Sequence, residues 1–239
     1  MILYGRNPVR EALRGRRARS VREVWATAAA AREPWLGSLA PRIASSEELE
    51  RRCGSSAHQG VCAQAGPFPY VGAEEALRDR EALLVALDQV QDPQNLGSIC
   101  RTAECAGAQG VVIGERRSAE VTPAVCKASA GAVEHVPVAR VRNISDFLAA
   151  ARRSGCWCYG ASAEGSTRRA TVPYYAPDYT GSGVVLVLGS EGRGLRPRVA
   201  DTCDELVALP LRGRVDSLGV AAAAAALLYE ILQKRVRGG

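Results

Sequence analysis

Residues 83–107 read LLVALDQVQDPQNLGSICRTAECAG, and this stretch indicates the fold class. The stretch LLVALD at 83–88 is apolar up to its last residue, Asp88, and is followed by a turn shaped by Asp92 and Pro93, which predicts a buried strand. The apolar spacing after the turn predicts a helix over 96–107. Apolar runs and amphipathic stretches alternate further along the chain, at 110–114, 122–129, 144–154, 156–162, 184–189 and 217–235. This alternation is typical of an α/β fold in which helices cover a mostly parallel sheet.

The first 65 residues predict a smaller α/β unit. Its expected elements are a helix around 8–13, a strand at 21–27, a helix near 46–53 and a strand at 61–65. The stretch GPFPYVG at 66–72 has two prolines and two glycines in seven residues, which marks a linker. We therefore expect a small domain at 1–66, a linker at 67–80 and a larger domain at 81–239.

The composition excludes several classes of protein. The 239 residues are 47% hydrophobic, yet no stretch of about 18 uncharged apolar residues could span a membrane. The stretch MILYGRNPVR reaches Arg6 and Arg10 without the apolar core of a signal peptide. The eight cysteines lack paired CxxC spacing, and Cys156 and Cys158 have no second ligand pair to complete a zinc site. We expect a cytoplasmic protein with free thiols and no metal.

The formal net charge of +6 is concentrated near the N-terminus. Residues 1–66 contain 11 Arg and 6 Asp or Glu, a net of +5, which leaves +1 for the other 173 residues. The segment RGRRARSVR at 14–22 could bind the phosphates of a polyanion bidentately. It could equally be a solvated helix end, because the whole chain has 29 Arg and only two Lys.

The loop after the first large-domain strand carries two candidate functional residues. Ligands of open α/β sheets bind at the carboxyl ends of strands, so Asn95 stands where a ligand would bind. Arg101 follows about a turn and a half later, in a helix that is otherwise small and apolar. Periodicity alone favours a simpler explanation for Arg101, which is an ion pair with Glu104 one helical turn away.

Two further loops follow apolar strands. The stretch VVLVLGSEGRGLRP at 184–197 ends in a glycine-rich loop that bears Glu191, and its spacing matches neither the dinucleotide motif nor the P-loop. The stretch LVALPLRGRVDSLGVAAAAAALLYEILQKR at 206–235 places a polar loop before the terminal helix, which Ser217 could cap through its hydroxyl. A strand, a loop and a capped helix would explain this last stretch without any function, except for the length of the loop.

In order along the chain, DPQNLGSICRTAECAG, LVLGSEGRGL and LPLRGRVDSLGVAAA resemble the three signature motifs of the SpoU (TrmH) 2′-O-ribose methyltransferases. Within that family, YGRNPVREAL at 4–13 and HQGVCAQA at 58–65 resemble the small substrate-binding domain of bacterial 23S rRNA (guanosine-2′-O)-methyltransferases. The resemblance covers nearly the whole chain. It implies methyl transfer from S-adenosylmethionine to a ribose 2′-hydroxyl, with a guanosine of 23S rRNA as the expected target.

The resemblance also implies a fold, a cofactor site and partners. The C-terminal domain would contain a deep trefoil knot of the SPOUT type, and the small N-terminal domain would be L30e-like. Knotted loops of the family hold S-adenosylmethionine mostly through main-chain groups, which implicates Gly189, Leu209 and Leu218. Family members are usually homodimers, and the small apolar face of the terminal helix suits such packing. The residues expected to contact RNA are Arg6, Arg14, Arg16, Arg17 and Arg19.

Catalytic roles follow from the same resemblance. Arg101 would contact the target phosphate and help to activate the 2′-hydroxyl. Asn95, Glu191 and Ser217 would organise the site. A guanidinium stays protonated at any ordinary pH, so a proton-accepting role for Arg101 is chemically awkward. We expect an electrostatic role, in which Arg101 fixes the phosphate and stabilises developing negative charge on the oxygen.

One position departs from the family pattern. The third motif normally reads Ser-Leu-Asn-Val, and Gly219 stands where the asparagine is expected. Loss of that amide means that activity is lowered, that a neighbour such as Asp216 substitutes, or that the protein binds RNA without catalysis. The four retained catalytic residues favour an enzyme over a non-catalytic RNA-binding protein such as a ribosome-assembly factor. A 2′-O-methyltransferase for another rRNA or tRNA site is a further alternative.

Overall fold

The structure is a computed structural model that describes residues 1–79, 81–163, 169–215 and 217–238. Asp216, the candidate substitute for the missing asparagine, lies outside the described residues. No helix among the described residues is long and apolar enough to cross a membrane.

The N-terminal part contains a four-stranded sheet in the order β1, β4, β2, β3. Strand β4 pairs antiparallel with β1 and β2, and β3 pairs parallel with β2. The helix near 46–53 and the strands at 21–27 and 61–65 are confirmed within a few residues. The strands are β1 (Ile2–Tyr4), β2 (Glu23–Ala26), β3 (Arg42–Ile43) and β4 (Val61–Gln64), and the helices are α1 (Arg6–Arg14), α2 (Pro34–Gly37) and α3 (Ser46–Cys53).

The larger part contains a seven-stranded sheet in which every paired strand is parallel to its neighbour. The order is β7, β6, β5, β10, β8, β11, β9. Its strands are β5 (Leu83–Asp88), β6 (Gly110–Gly114), β7 (Val138–Val141), β8 (Trp157–Ala161), β9 (Val172–Pro173), β10 (Val184–Gly189) and β11 (Glu205–Ala208). Its helices are α4 (Ala73–Ala76), α5 (Pro93–Cys105), α6 (Pro123–Ala128), α7 (Ile144–Arg153), α8 (Pro197–Thr202) and α9 (Val220–Gly238). The expected parallel α/β sheet is confirmed.

Strands β5 and β10 form the centre of this sheet. All six residues of each strand are buried, as expected for a parallel strand that is covered on both faces. The chain runs from β5 outward through β6 and β7, and then crosses to the other side of the sheet at β8. Ligand sites of open α/β sheets lie where the strand order reverses in this way, at the carboxyl ends of the strands. The loops after β5, β10 and β11 all leave from that edge.

The two sheets pack on one continuous apolar core, and a buried ion pair crosses between them. Arg17 is 2% exposed, and its Nε donates to Oε2 of the fully buried Glu134 over 3.0 Å, while Nη2 contacts Oε1 of the same carboxylate. The guanidinium also lies 5.3 Å from the centre of the Phe68 ring. The expectation that Arg17 contacts RNA is therefore wrong, because its charge is already neutralised inside the protein.

Candidate active site

The first candidate loop leads directly into a helix. Helix α5 begins at Pro93, three residues earlier than expected, because the Asp92 carboxylate accepts a hydrogen bond from the Gln94 N–H over 2.9 Å and caps the helix. Asn95 therefore lies in the first turn of α5. Its Nδ2 donates to Asp92 Oδ2 over 3.2 Å and also to Glu191 Oε1. The structure thus joins two predicted catalytic residues that are 96 positions apart.

The second candidate loop presents Glu191 by a tight backbone reversal. Ser190 and Gly194 exchange two main-chain hydrogen bonds of 3.1 and 2.9 Å, so Glu191 lies in the turn between them. Gly192 and Gly194 have φ values of 77° and 65°, which side-chain-bearing residues rarely adopt. The two glycines therefore allow the backbone to make this tight turn, and the turn places the Glu191 carboxylate against α5.

A buried carboxylate anchors the other end of this loop. Asp88 ends β5 and is fully buried, and its Oδ2 accepts from the Arg196 N–H over 2.9 Å. The Arg196 guanidinium donates to Oδ1 over 2.7 Å. We did not predict a role for Asp88, although an acidic residue at the end of an apolar strand was a usable signal. Asp88 fixes the loop from the β5 side, since a buried charge needs such a partner.

Gly189 packs too closely against the loop to carry a side chain. A Cβ at this position would lie 2.1 Å from the carbonyl carbon of Gly194. We expect Gly189→Ala to displace the loop, to lower the free energy of unfolding by about 1–3 kcal/mol, and to separate Glu191 from Asn95. Urea denaturation measures the change in the free energy of unfolding. Gly72→Ala is the matched control, because nothing lies within 4 Å of a Cβ there. Equal stability of the two variants would contradict the close packing.

The third candidate loop exposes apolar side chains and free main-chain groups. Leu211, Val215 and Leu218 are 41%, 71% and 52% exposed. The main-chain N–H and C=O groups of Leu209 and Leu218 have no hydrogen-bond partner among the described residues. Apolar contacts beside unpaired donors and acceptors suit a nucleoside-like ligand held through the backbone. The loop therefore fits the kind of cofactor site that was expected at Leu209 and Leu218.

Ser217 does not cap the terminal helix as predicted. Its Oγ accepts from the Gly219 N–H over 3.2 Å, whereas the Gly219 carbonyl accepts from Ala223 and occupies the capping position before Val220. Gly219 has a φ of 81°, so the chain turns sharply where α9 begins. Within the described residues, no hydrogen bond links Ser217 to Asn95 or Glu191.

Arg101 lies apart from the pair formed by Asn95 and Glu191. Six residues along a helix correspond to about 9 Å of rise and about 120° of rotation from Asn95. Arg101 is exposed and has no ion-pair partner among the described residues, so the expected alternative of a pair with Glu104 is not observed. Its side chain lines a cleft of about 360 Å³ that also contains residues of α1. A single chain therefore brings Asn95 and Glu191 together, whereas Arg101 lines a different cleft.

Comparison with known proteins identifies relatives for both parts of the chain. The SpoU rRNA Methylase family matches residues 82–229, and the family described as RNA 2′-O ribose methyltransferase substrate binding matches residues 2–71. A protein of Staphylococcus saprophyticus named as a TrmH family tRNA/rRNA methyltransferase is 38% identical over 185 residues, which cover 75% of this chain and 72% of the relative.

Two solved structures resemble almost the entire chain. The SpoU methyltransferase AviRb from Streptomyces viridochromogenes, in complex with the cofactor AdoMet, matches with a TM-score of 0.82 and 26% identity over 99% of this chain and 90% of its own. The AdoMet-bound rRNA methyltransferase from Sinorhizobium meliloti matches with a TM-score of 0.79 and 26% identity over 97% and 86%.

Proposed function

The chain belongs to the SpoU rRNA methylase family, and we propose that it transfers a methyl group from S-adenosylmethionine to a ribose 2′-hydroxyl of RNA. The proposed target is a guanosine of 23S rRNA. The contact between Asn95 and Glu191 carries the proposal, because it unites two of the three motif loops at the edge of the sheet where ligands bind.

S-adenosylmethionine is the methyl donor, as in the AdoMet-bound relatives. Its sulfonium supplies an electrophilic methyl group when it is bound. Leu209 and Leu218 would hold it through their unpaired main-chain groups, with Leu211 and Val215 providing apolar contact. Gly189 would form the floor of the site, since its lack of a side chain lets the neighbouring loop approach.

The residues of this chain orient the RNA hydroxyl and stabilise its developing charge. Glu191 fixes the Asn95 amide, whose remaining hydrogen-bonding groups are then held in one direction. Arg101 is unpaired within the described part of the chain and binds the phosphate beside the target, and its permanent charge favours the oxyanion. Alignment of the hydroxyl with the methyl group supplies much of the rate in such a displacement.

A homodimer would complete this site. Arg101 faces away from Asn95 in its own chain, so a second copy is needed to bring such a guanidinium to the pair. Helix α9 offers an exposed stripe of Ala222, Ala226 and Tyr229, spaced for packing against a neighbouring helix.

The terminal helix would thread a trefoil knot. Helix α9 packs on α5 and directly follows the third loop, as the proposed threading requires.

The substrate-binding part would contact RNA through exposed basic residues. Arg14 and Arg19 are exposed, and Arg16 is exposed beside Glu75 at 3.7 Å. Arg6 is exposed but pairs with Glu33 at 2.5 Å, so RNA would have to compete with that carboxylate. Arg17 is excluded from this set by its burial.

The missing asparagine offers a gain-of-function test. A Cβ at Gly219 would meet nothing within 4 Å, and asparagine tolerates a positive φ better than most residues. We expect Gly219→Asn to raise kcat for methyl transfer by roughly 3–10-fold through one restored hydrogen bond. Gly219→Ala is the control that adds a Cβ at the same positive φ without the amide, and urea denaturation of both variants accounts for the greater backbone strain of alanine there. Equal rates for the two variants would show that an amide at this position does not contribute.

Transfer of labelled methyl groups to unmodified RNA tests the proposed function. We expect label in a 23S rRNA transcript and little in tRNA. Label in tRNA alone would support the proposed reaction but show that its target is tRNA and not 23S rRNA. RNA binding without label in either RNA would replace the proposal with the non-catalytic RNA-binding protein.

A further inference from the structure

We propose that the cleft between α1 and α5 binds a phosphodiester of the RNA strand, and that Arg10 binds this phosphate together with Arg101. The inference rests on the proposed function, in that it takes RNA to be the substrate. It assigns a role to Arg10, which the sequence patterns did not single out.

The cleft combines residues from both parts of the chain. Its volume of about 360 Å³ lies in the range of sites that hold small ligands. Asn7, Arg10 and Glu11 of α1 line one side, and Arg101 and Glu104 of α5 line the other. The remaining lining residues are mostly small, namely Cys105, Ser129, Ala130 and Ala132, together with His135. Small side chains leave room in the cleft for a sugar and its phosphate.

The charges of the cleft are arranged around one carboxylate. Glu11 is 19% exposed, and its Oε1 accepts from Arg10 Nε over 2.9 Å while its Oε2 lies 2.9 Å from His135 Nε2. The pKa of Glu11 is below its usual value, since hydrogen bonds from His135 and Arg10 outweigh the opposing effect of burial. Glu11 thus stays ionised and holds the stem of Arg10 in one orientation.

The guanidiniums of Arg10 and Arg101 keep donors available for an anion. Only Nε of Arg10 is engaged with Glu11, so its terminal nitrogens remain free among the described residues, and the side chain is 40% exposed. Arg101 has no partner in the described part of the chain. Two guanidiniums that line one cleft suit a single phosphate, which accepts several charge-assisted hydrogen bonds. Phosphate contacts of this kind set the register of a nucleic acid rather than read its sequence.

RNA binding in the absence of S-adenosylmethionine tests this inference separately from catalysis. The probe is an unmodified 23S rRNA transcript, and filter binding gives its Kd. We expect Arg10→Gln to raise Kd roughly 5–10-fold at about 150 mM salt and to reduce the salt slope by about one. Arg51→Gln is the matched control, since Arg51 is an exposed arginine on α3 that does not line the cleft. Arg10→Lys keeps the charge and the stem, and should have an intermediate Kd.

A double substitution tests whether the two arginines share one phosphate. If they do, Arg10→Gln combined with Arg101→Gln raises Kd clearly less than the product of the two single effects. Independent effects that multiply, or an Arg10→Gln variant that binds like the Arg51→Gln control, would overturn the inference. This test measures RNA binding and not methyl transfer. A protein that binds RNA through Arg10 but transfers no methyl group would therefore contradict the proposed function and still support the role of the cleft.

Discussion

Replacing Arg101 with alanine should lower kcat for methyl transfer by about 10²–10³-fold, a loss typical of removing one group that stabilises transition-state charge. Because the residue is exposed and has no partner among the described residues, its removal leaves no buried group unsatisfied. Folding and S-adenosylmethionine affinity should therefore stay unchanged. Single-turnover rates with labelled cofactor and saturating RNA measure the effect, and calorimetric titration measures cofactor binding.

A second arginine of the larger domain serves as the control. Arg198→Ala removes an exposed guanidinium from the start of α8, just after the second motif loop, where it pairs with Asp146 of α7 and not with a predicted catalytic residue. Its rate should match that of the native protein. Arg101→Lys should recover part of the activity, because it restores the charge without the planar fork. An Arg101→Ala variant within about threefold of the native rate would remove this residue from the catalytic machinery.

The buried ion pair between Arg17 and Glu134 should contribute strongly to the stability of the fold. Glu134→Gln should lower the free energy of unfolding by about 3–5 kcal/mol, because it leaves the Arg17 guanidinium buried without its counter-charge. Urea denaturation followed by circular dichroism measures the change. Asp146→Asn breaks an ion pair whose partners are 75% and 66% exposed, and should cost at most about 1 kcal/mol.

A compensating double variant separates the charge effect from the packing effect. Arg17→Met combined with Glu134→Leu removes both charges from the same site and should recover most of the lost stability. The contact joins the N-terminal sheet to the larger part, so Glu134→Gln should also loosen the substrate-binding region and raise the KM for RNA. A Glu134→Gln variant as stable as Asp146→Asn would show that the pair is not buried in solution.

The longer strands and helices of the larger domain were predictable because burial imposes clear patterns on them. The apolar run at 83–88 could only be a covered strand, and its bounds agree with β5. Strand β7 was missed because four residues between other elements carry little periodicity. The start of α5 was misplaced because Asp92 and Pro93 suit both a turn and a helix N-terminus.

The functional residues were predictable from motif order, whereas their spatial relations were not. Asn95 and Glu191 are 96 residues apart, and only the parallel packing of β5 and β10 brings their loops together. The burial of Arg17 was hidden for a similar reason, since its partner Glu134 is 117 residues away and the segment after α1 gives no local sign of it. An arginine-rich segment shows its charge in sequence, but it does not show which guanidinium is already paired.

The position of the transferred methyl group decides whether the protein methylates a ribose 2′-hydroxyl. Unmodified 23S rRNA is incubated with the protein and labelled S-adenosylmethionine, digested to nucleosides and resolved by liquid chromatography with mass spectrometry. The proposed function predicts label on a ribose, as 2′-O-methylguanosine, which disappears with Arg101→Ala. Label on a base, or no label in RNA that the protein demonstrably binds, would contradict it.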